Sequence, residues 1–350
     1  MKTVFLESHN IKNPYFGFGQ FNLHLIRALS KLEHSNYEIT LHAPDIDSLK
    51  KEFGKKFNYK KYRSFSRYSL FRIRKKYDVW HAMNQNTKIE PFHDLPYVLT
   101  VHDVHFATEN DAERLQRFKE KLRRASVITY ISEYAKKETH AHFEVPKIPE
   151  RVIYNGNPIL EIRELSNYRP SIKVKKPFFF SIGDFLERKN FHALVEMMQF
   201  LPDWNLIISG NHEKAYGEKI KAQIEEKQLQ DRVLLTGKIG EQEKQYFMQN
   251  CTAFLFPSLR EGFGLPPIEA MRFGKPVFLS NLTSLPEIGG EVAYYWDDFA
   301  PENMKEKLLE GLSHFEKNKS EMQRKLIARA KFFSWDKAAA EYSQTYESLF

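Results

Sequence analysis

Short apolar runs recur along the chain, each followed by a stretch long enough for a helix. TVFLE (3–7), EITLHA (38–43), DVWHA (78–82), YVLTVHD (97–103), SVITYIS (126–132) and RVIYN (151–155) form a first set. PFFFSIG (177–183), WNLIISG (204–210), RVLLTG (232–237), TAFLFP (252–257) and PVFLS (276–280) form a second. Between them, FGQFNLHLIRALSKL, HALVEMMQF and EKQYFMQN read as helical stretches. This alternation predicts βαβ units and parallel sheets. The strand runs are continuously apolar because a central parallel strand is covered on both faces. The tail FSWDKAAAEYSQTYESLF (333–350) predicts a closing helix with Ser334 as its N-cap.

The two sets are parted by NGNPILEIRELSNYRPSIKVKKP (155–177), which has three prolines, an Asn-Gly pair and little periodicity. A chain of 350 residues exceeds what one core usually organises, so two α/β domains are expected. The expected division is 1–165, 166–332 and a final helix 333–350. No apolar run reaches the roughly 18 residues of a membrane span. The start MKTVFLESHN turns polar after Leu6 and reads as a first strand, not a leader. A single cysteine, Cys251, leaves no internal disulfide and suits a reducing cytosol. A cytoplasmic protein is the expectation.

Charge alters this picture in one place. The net charge is +8, and residues 55–77, KKFNYKKYRSFSRYSLFRIRKKY, hold ten basic residues and no acidic one. Phenylalanines and tyrosines are interleaved, so three readings stay open: a solvated basic face, an anionic membrane surface, or nucleic acid. Nucleic acid is the weakest, since no recognition module accompanies the charge. Arg72, Arg74, Lys75 and Lys76 are the candidates for a membrane or acceptor surface.

Candidate chemistry lies in the loops after strands, where open α/β sheets bind ligands. NPYFGFGQF (13–21) carries Gly17 and Gly19 but lacks the third glycine of a dinucleotide turn. His102, Asp103 and His105 follow a strand without completing a metal shell, so His102 is either structural or projects to a ligand. SIGDFLERKN (181–190) places Asp184, Arg188 and Lys189 beside a helix start, where two cations suit a diphosphate. FPSLREGFGLPPIEAMRFGKPV then sets Glu261 and Glu269 eight positions apart, around Gly262, Phe263, Gly264 and Leu265. The helix should open at Pro266 and end before Gly274. Two carboxylates so placed accept hydrogen bonds from the hydroxyls of a sugar.

The Glu-x7-Glu segment, with EAM, GKPV, LPEIGG, GFGQFNLHL, TVHDVHF, ERKN, LLTGKI and FSWDKAA, resembles the retaining GT-B glycosyltransferases of family GT4. The resemblance spans nearly the whole chain. It implies two Rossmann-like domains across a cleft, the N-terminal one for the acceptor and the C-terminal one for a nucleotide sugar. It implies that Glu269 binds the ribose, that Glu261 and the 262–265 amides contact the donor sugar, and that Lys189 with Arg188 neutralises the diphosphate. It also implies His102 near the reacting carbon, Ile239 against the base, and Gly17 and Gly19 near the phosphates. Asp184 stands where many relatives carry Arg, so it should turn aside or meet sugar hydroxyls.

The implied reaction is retaining transfer of a hexose, with mannose the family's base-rate choice, to a glycan or lipid-linked saccharide in bacterial surface polysaccharide or lipopolysaccharide synthesis. The donor is GDP- or UDP-linked, with no metal or other cofactor. Rival readings are a GT-B phosphorylase, a nucleotide-sugar epimerase, and a non-catalytic binder of sugar nucleotide or nucleic acid. If Glu261 grips the sugar, Glu261→Ala should cost turnover more than nucleotide affinity.

Overall fold

The computed structural model describes residues 1–13, 16–33, 36–109, 111–174 and 176–350. Pro14 and Tyr15 of the glycine loop and Lys175 of the interdomain break thus lie outside the described residues. The chain divides into two compact units, Met1–Pro158 with Ser334–Phe350, and Ile159–Phe333. The division falls at Pro158/Ile159 and not at 165/166, for a packing reason. Ile159 is buried with Phe178, Phe180 and Phe254, and the Arg163 N–H donates to Gln245 Oε1 at 3.0 Å. The segment after Pro158 is therefore already part of the second core.

The first unit is one parallel sheet of seven strands: β1 (Lys2–Glu7), β2 (Tyr37–Ala43), β3 (Asn58–Lys61), β4 (Val79–Ala82), β5 (Tyr97–Val101), β6 (Val127–Tyr130) and β7 (Glu150–Val152). Their spatial order is β3-β2-β1-β4-β5-β6-β7, so the order reverses between β1 and β4. The second unit has six parallel strands: β8 (Phe178–Ile182), β9 (Asn205–Ser209), β10 (Val233–Gly237), β11 (Ala253–Phe256), β12 (Val277–Ser280) and β13 (Tyr294–Trp296). Their order is β10-β9-β8-β11-β12-β13, reversing between β8 and β11. Such reversals open a crevice at the carboxyl ends of the strands. Among the described residues no helix is long and apolar enough to cross a membrane.

Two strands escape the apolar pattern. β3 is NYKK at a sheet edge, and β13 is the short YYW. The basic stretch 55–77 is thus partly built in: Phe57, Ile73 and Tyr77 are buried. Leu70 (81% exposed), Phe71 (53%) and Tyr68 (58%) remain at the surface with Arg74, Lys75 and Lys76.

The closing helix, Trp335–Glu347, is capped as expected by Ser334, whose Oγ accepts from the Lys337 N–H. It completes the first unit. The Tyr346 hydroxyl meets His81 Nδ1 at 2.8 Å, and the Tyr342 hydroxyl lies 3.2 Å from Thr100 Oγ1. Gly156 is required here, since a Cβ would stand 2.1 Å from the Trp335 nitrogen. His81 also meets Thr100 at 2.7 Å and burial pushes its pKa down to about 3, so it is a neutral core histidine.

Candidate functional site

In the second unit the loops after β8 and β11 meet at the point where strand order reverses. After β8 the chain makes a 3₁₀ turn, Glu187–Lys189, then reverses through Asn190 into the helix Phe191–Met198. Asn190 sits at φ 56°, a left-handed value that asparagine tolerates better than most residues. The turn leaves the Arg188 carbonyl to accept from the Leu259 N–H at 2.7 Å and from Ser258 Oγ at 3.1 Å. The two loops are thereby fastened to each other before any ligand is considered.

Glu261 is the hub. Its Oε1 accepts from Lys189 Nζ at 2.5 Å, from Ser258 Oγ at 2.7 Å and from Arg188 Nη1 at 3.1 Å. Its own N–H donates to Thr283 Oγ1 at 3.1 Å. Burial raises the Glu261 pKa, but the Lys189 and Arg188 charges outweigh it and hold it below the ordinary carboxylate range. Burial lowers the pKa of Lys189, with Arg188 acting the same way and Glu261 opposing both. The Lys189 ammonium also lies over the Phe256 ring, 4.7 Å from its centroid. Glu261 is thus primarily a brace for two cations, a role beyond the sugar contact expected from sequence.

Asp184 Oδ2 accepts from Lys214 Nζ at 2.5 Å. That lysine had no sequence signal, being 30 residues away and ahead of a helix. Glu269, buried in the helix Leu265–Met271, accepts from Lys244 Nζ at 2.8 Å, and Lys244 also reaches Glu241 at 2.9 Å. Burial depresses the Lys244 pKa, yet the Glu269 and Glu241 charges carry it above its ordinary value. The helix opens at Leu265, one residue before the expected start, because Gly264 turns the chain at φ 110°. A Cβ there would also stand 2.8 Å from Leu285 Cδ2. Phe263 is buried, with its ring edge-on to Phe333. Ile239 packs half-buried against the core that contains Phe178, Phe254 and Leu279. Gly262 lies between Glu261 and Phe263 in the same loop.

The other expected residues belong to the first unit. His102 follows β5; its Nε2–H donates to the Met83 carbonyl at 2.9 Å, and its backbone N–H donates to Gln85 Oε1 at 3.1 Å. Phe18 and Phe21 pack their rings edge-on to it at 4.8 and 4.6 Å. Burial pushes its pKa down to about 4, against the pull of the Met83 bond and Asp103. It is a neutral imidazole whose Nδ1 is an acceptor. Gly17 begins the helix Gly17–Leu29 in open space. Gly19 is buried for another reason: a Cβ would collide with the Asn13 carbonyl at 1.9 Å. Its glycine serves packing inside the protein. No group of three or more potential metal ligands occurs among the described residues.

Comparisons with known proteins agree with this geometry. The family model "Glycosyl transferases group 1" matches residues 163–332, and "Glycosyltransferase Family 4" matches 17–158. The O-antigen chain mannosyltransferase B of Escherichia coli is 25% identical, with 100% of each chain covered. The serotype-specific mannosyltransferase WbdA of Escherichia coli is 27% identical over 62% of this chain, which spans only 28% of that longer protein. Among solved structures, a sucrose-phosphate synthase from Thermosynechococcus elongatus superposes with a TM-score of 0.76 at 18% identity, covering 100% of this chain and 99% of that one. Anabaena HepE, solved in complex with UDP-glucose, gives 0.74 at 15% identity, covering 99% and 100%. With two parallel Rossmann-like sheets and family models matched across both units, the chain belongs to glycosyltransferase family 4 and is a GT-B glycosyltransferase.

Proposed function

We propose that the chain transfers a mannosyl residue, with retention, from a nucleotide diphosphate sugar to a saccharide acceptor in the assembly of a bacterial surface polysaccharide. The observation that carries this is the Arg188–Lys189 pair braced on Glu261 at the strand reversal. A diphosphate leaving group gains negative charge as its bond to the sugar breaks. Preorganised cations in a water-poor site stabilise that charge without rearranging. Mannose is favoured by the name of the full-length Escherichia coli relative, and both guanosine and uridine stay in the test, since HepE carries UDP-glucose.

In this reading the anomeric carbon–oxygen bond to the diphosphate breaks and a bond to the acceptor oxygen forms on the same face. The acceptor's proton passes to the departing phosphate oxygen. Lys189 and Arg188 hold that phosphate, and Glu261 keeps them in place through Oε1. Glu261 Oε2 is an acceptor for sugar hydroxyls. Glu269 takes the ribose hydroxyls while Lys244 fixes its carboxylate. No metal or cofactor enters the reaction, because the two cations supply the positive charge.

The acceptor surface extends to a membrane, where Leu70, Phe71 and Tyr68 insert beside Arg72, Arg74, Lys75 and Lys76. In this reading the enzyme works at the cytoplasmic face of that membrane. Sedimentation with phosphatidylglycerol vesicles tests it, and unchanged binding after removal of those four charges rules it out. The donor is tested by thermal shift with nucleoside diphosphates and nucleotide sugars. At a hundredfold excess over Kd the correct ligand adds about 2.7 kcal/mol, or several degrees at about 2–4 °C per kcal/mol. No shift with any guanosine or uridine ligand would refute the donor assignment.

A further inference from the structure

The donor-side groups Arg188, Lys189, Glu261 and Glu269 all belong to the second unit, yet the first has a polar cavity of its own at the corresponding place in its sheet. This cavity, about 190 Å³, is lined by residues that follow β1 and β4, where the strand order reverses. Asn84, Asn86 and Thr87 supply amide and hydroxyl groups, and Tyr62 supplies a ring face. Two cations, Arg67 and Lys88, complete the wall, and no acidic residue lines it. Arg67 has no ion pair among the described residues; Lys88 meets the exposed Glu113 at 2.9 Å.

A buried carboxylate sits behind the wall. Glu7, fully buried at the end of β1, accepts from His9 Nδ1 at 2.6 Å. His9 stacks on Tyr62 with ring centres 4.8 Å apart, and His42 Nδ1 lies 3.7 Å from the same Glu7 oxygen. Glu7 Oε2 has no partner among the described residues. A buried carboxylate is costly unless it is well compensated. This one fixes the His9 ring, with Nδ1–H donated inward and Nε2 left to meet a hydroxyl. A second cavity, about 480 Å³, shares Arg67 and Lys88 with the first, so the two cations mark the junction between them; beyond it the lining is mixed, with Arg72, Arg117, Lys121 and Arg124 against Glu90, Glu113 and Glu120.

We propose that the smaller cavity holds the sugar ring of the acceptor, and that Arg67 and Lys88 at the junction hold a phosphate attached to that sugar. The acceptor is then a phosphate-linked saccharide, read by His9, Asn84 and Asn86 at its hydroxyls and by the cation pair at its linkage. This rests on the transferase reading above, since a transferase needs a second substrate site apart from its donor.

Calorimetry tests it with full-length protein saturated by GDP and UDP, so that the donor side is occupied. Mannose 1-phosphate should bind about tenfold or more tightly than methyl α-mannoside, the usual worth of one charge-assisted hydrogen bond. Arg67→Gln and Lys88→Gln should each erode that preference, the double variant should abolish it, and His9→Gln should weaken both ligands. Equal affinity for the two sugars in the wild type, or a preference that survives in the double variant, overturns the proposal. So does a double variant that loses phosphatidylglycerol vesicles but keeps the preference, which would make the pair a headgroup contact. The donor panel uses other ligands: if it shows donor binding while this titration shows no preference, only the acceptor inference fails.

Discussion

Glu261→Gln separates a brace from a sugar grip. The substitution keeps the side-chain length and an oxygen for Ser258, but removes the charge that faces Lys189 at 2.5 Å and Arg188 at 3.1 Å. Breaking a buried ion pair costs about 3–5 kcal/mol. The Arg188 side chain is 39% exposed, so water screens its share and the Lys189 contact carries most of the effect. We take the lower end, since Arg188 contributes little: about 3 kcal/mol, or roughly a hundredfold at 1.4 kcal/mol per tenfold.

The direction follows from what remains around Lys189. Burial and Arg188 both disfavour its charged form, and Glu261 is the largest influence opposing them. Without that carboxylate Lys189 gives up its proton at a lower pH, and the diphosphate loses its buried cation. Below that titration Lys189 stays charged, and no carboxylate faces the incoming phosphates. Nucleoside diphosphate affinity is therefore compared between variant and wild type by calorimetry at each pH from 6 to 9. For the variant it should match or exceed wild type at pH 6, then fall by up to about a hundredfold toward pH 9. Parallel profiles for the two proteins would refute the brace. A loss of turnover with diphosphate affinity unchanged at every pH would restore Glu261 to a pure sugar contact.

The Asp184–Lys214 pair predicts that Lys214→Ala raises the donor KM by up to about fivefold, the roughly 1 kcal/mol at most of one partly exposed ion pair whose carboxylate is set free near a diphosphate. Asp184→Asn added to it should restore the wild-type value; no restoration in steady-state kinetics would mean that Lys214 acts on the donor directly. Turnover should survive prolonged EDTA treatment and removal of the chelator, whereas loss that divalent metal restores would contradict a reaction run on two cations. Gly264→Ala forces a Cβ into φ 110° and against Leu285, at about 1–3 kcal/mol. Its melting temperature should drop by several degrees, and an unshifted melt would show that the loop relaxes freely.

The sheets were legible because a strand buried on both faces has to be apolar along its whole length, as in FFFSI and AFLF. NYKK and YYW were missed because an edge or a three-residue strand carries no such requirement. The site divided in the same way. Glu261, Glu269 and the Arg188–Lys189 pair announce themselves through local spacing around glycines and prolines. Lys214 and Lys244, which neutralise Asp184 and Glu269, do not, because each lies on a different strand-to-helix segment and meets its partner only through the fold. Gly19 shows the converse. Its place in a Gly-Phe-Gly loop points to a ligand, while the space it leaves is filled by the Asn13 carbonyl.

The helix Trp335–Glu347 ties the first unit to the order of synthesis. The second unit, Ile159–Phe333, is contiguous, so it can close as soon as its last strand and helices have left the ribosome. The first unit, though made earlier, must wait for Tyr342 and Tyr346 before Thr100 and His81 find these hydroxyl partners. Until then its sheet leaves those buried polar positions short of partners and a face of aromatic residues uncovered. The half translated first is therefore the half that matures last, and a chaperone engaging this protein would find the incomplete surface on its amino-terminal half.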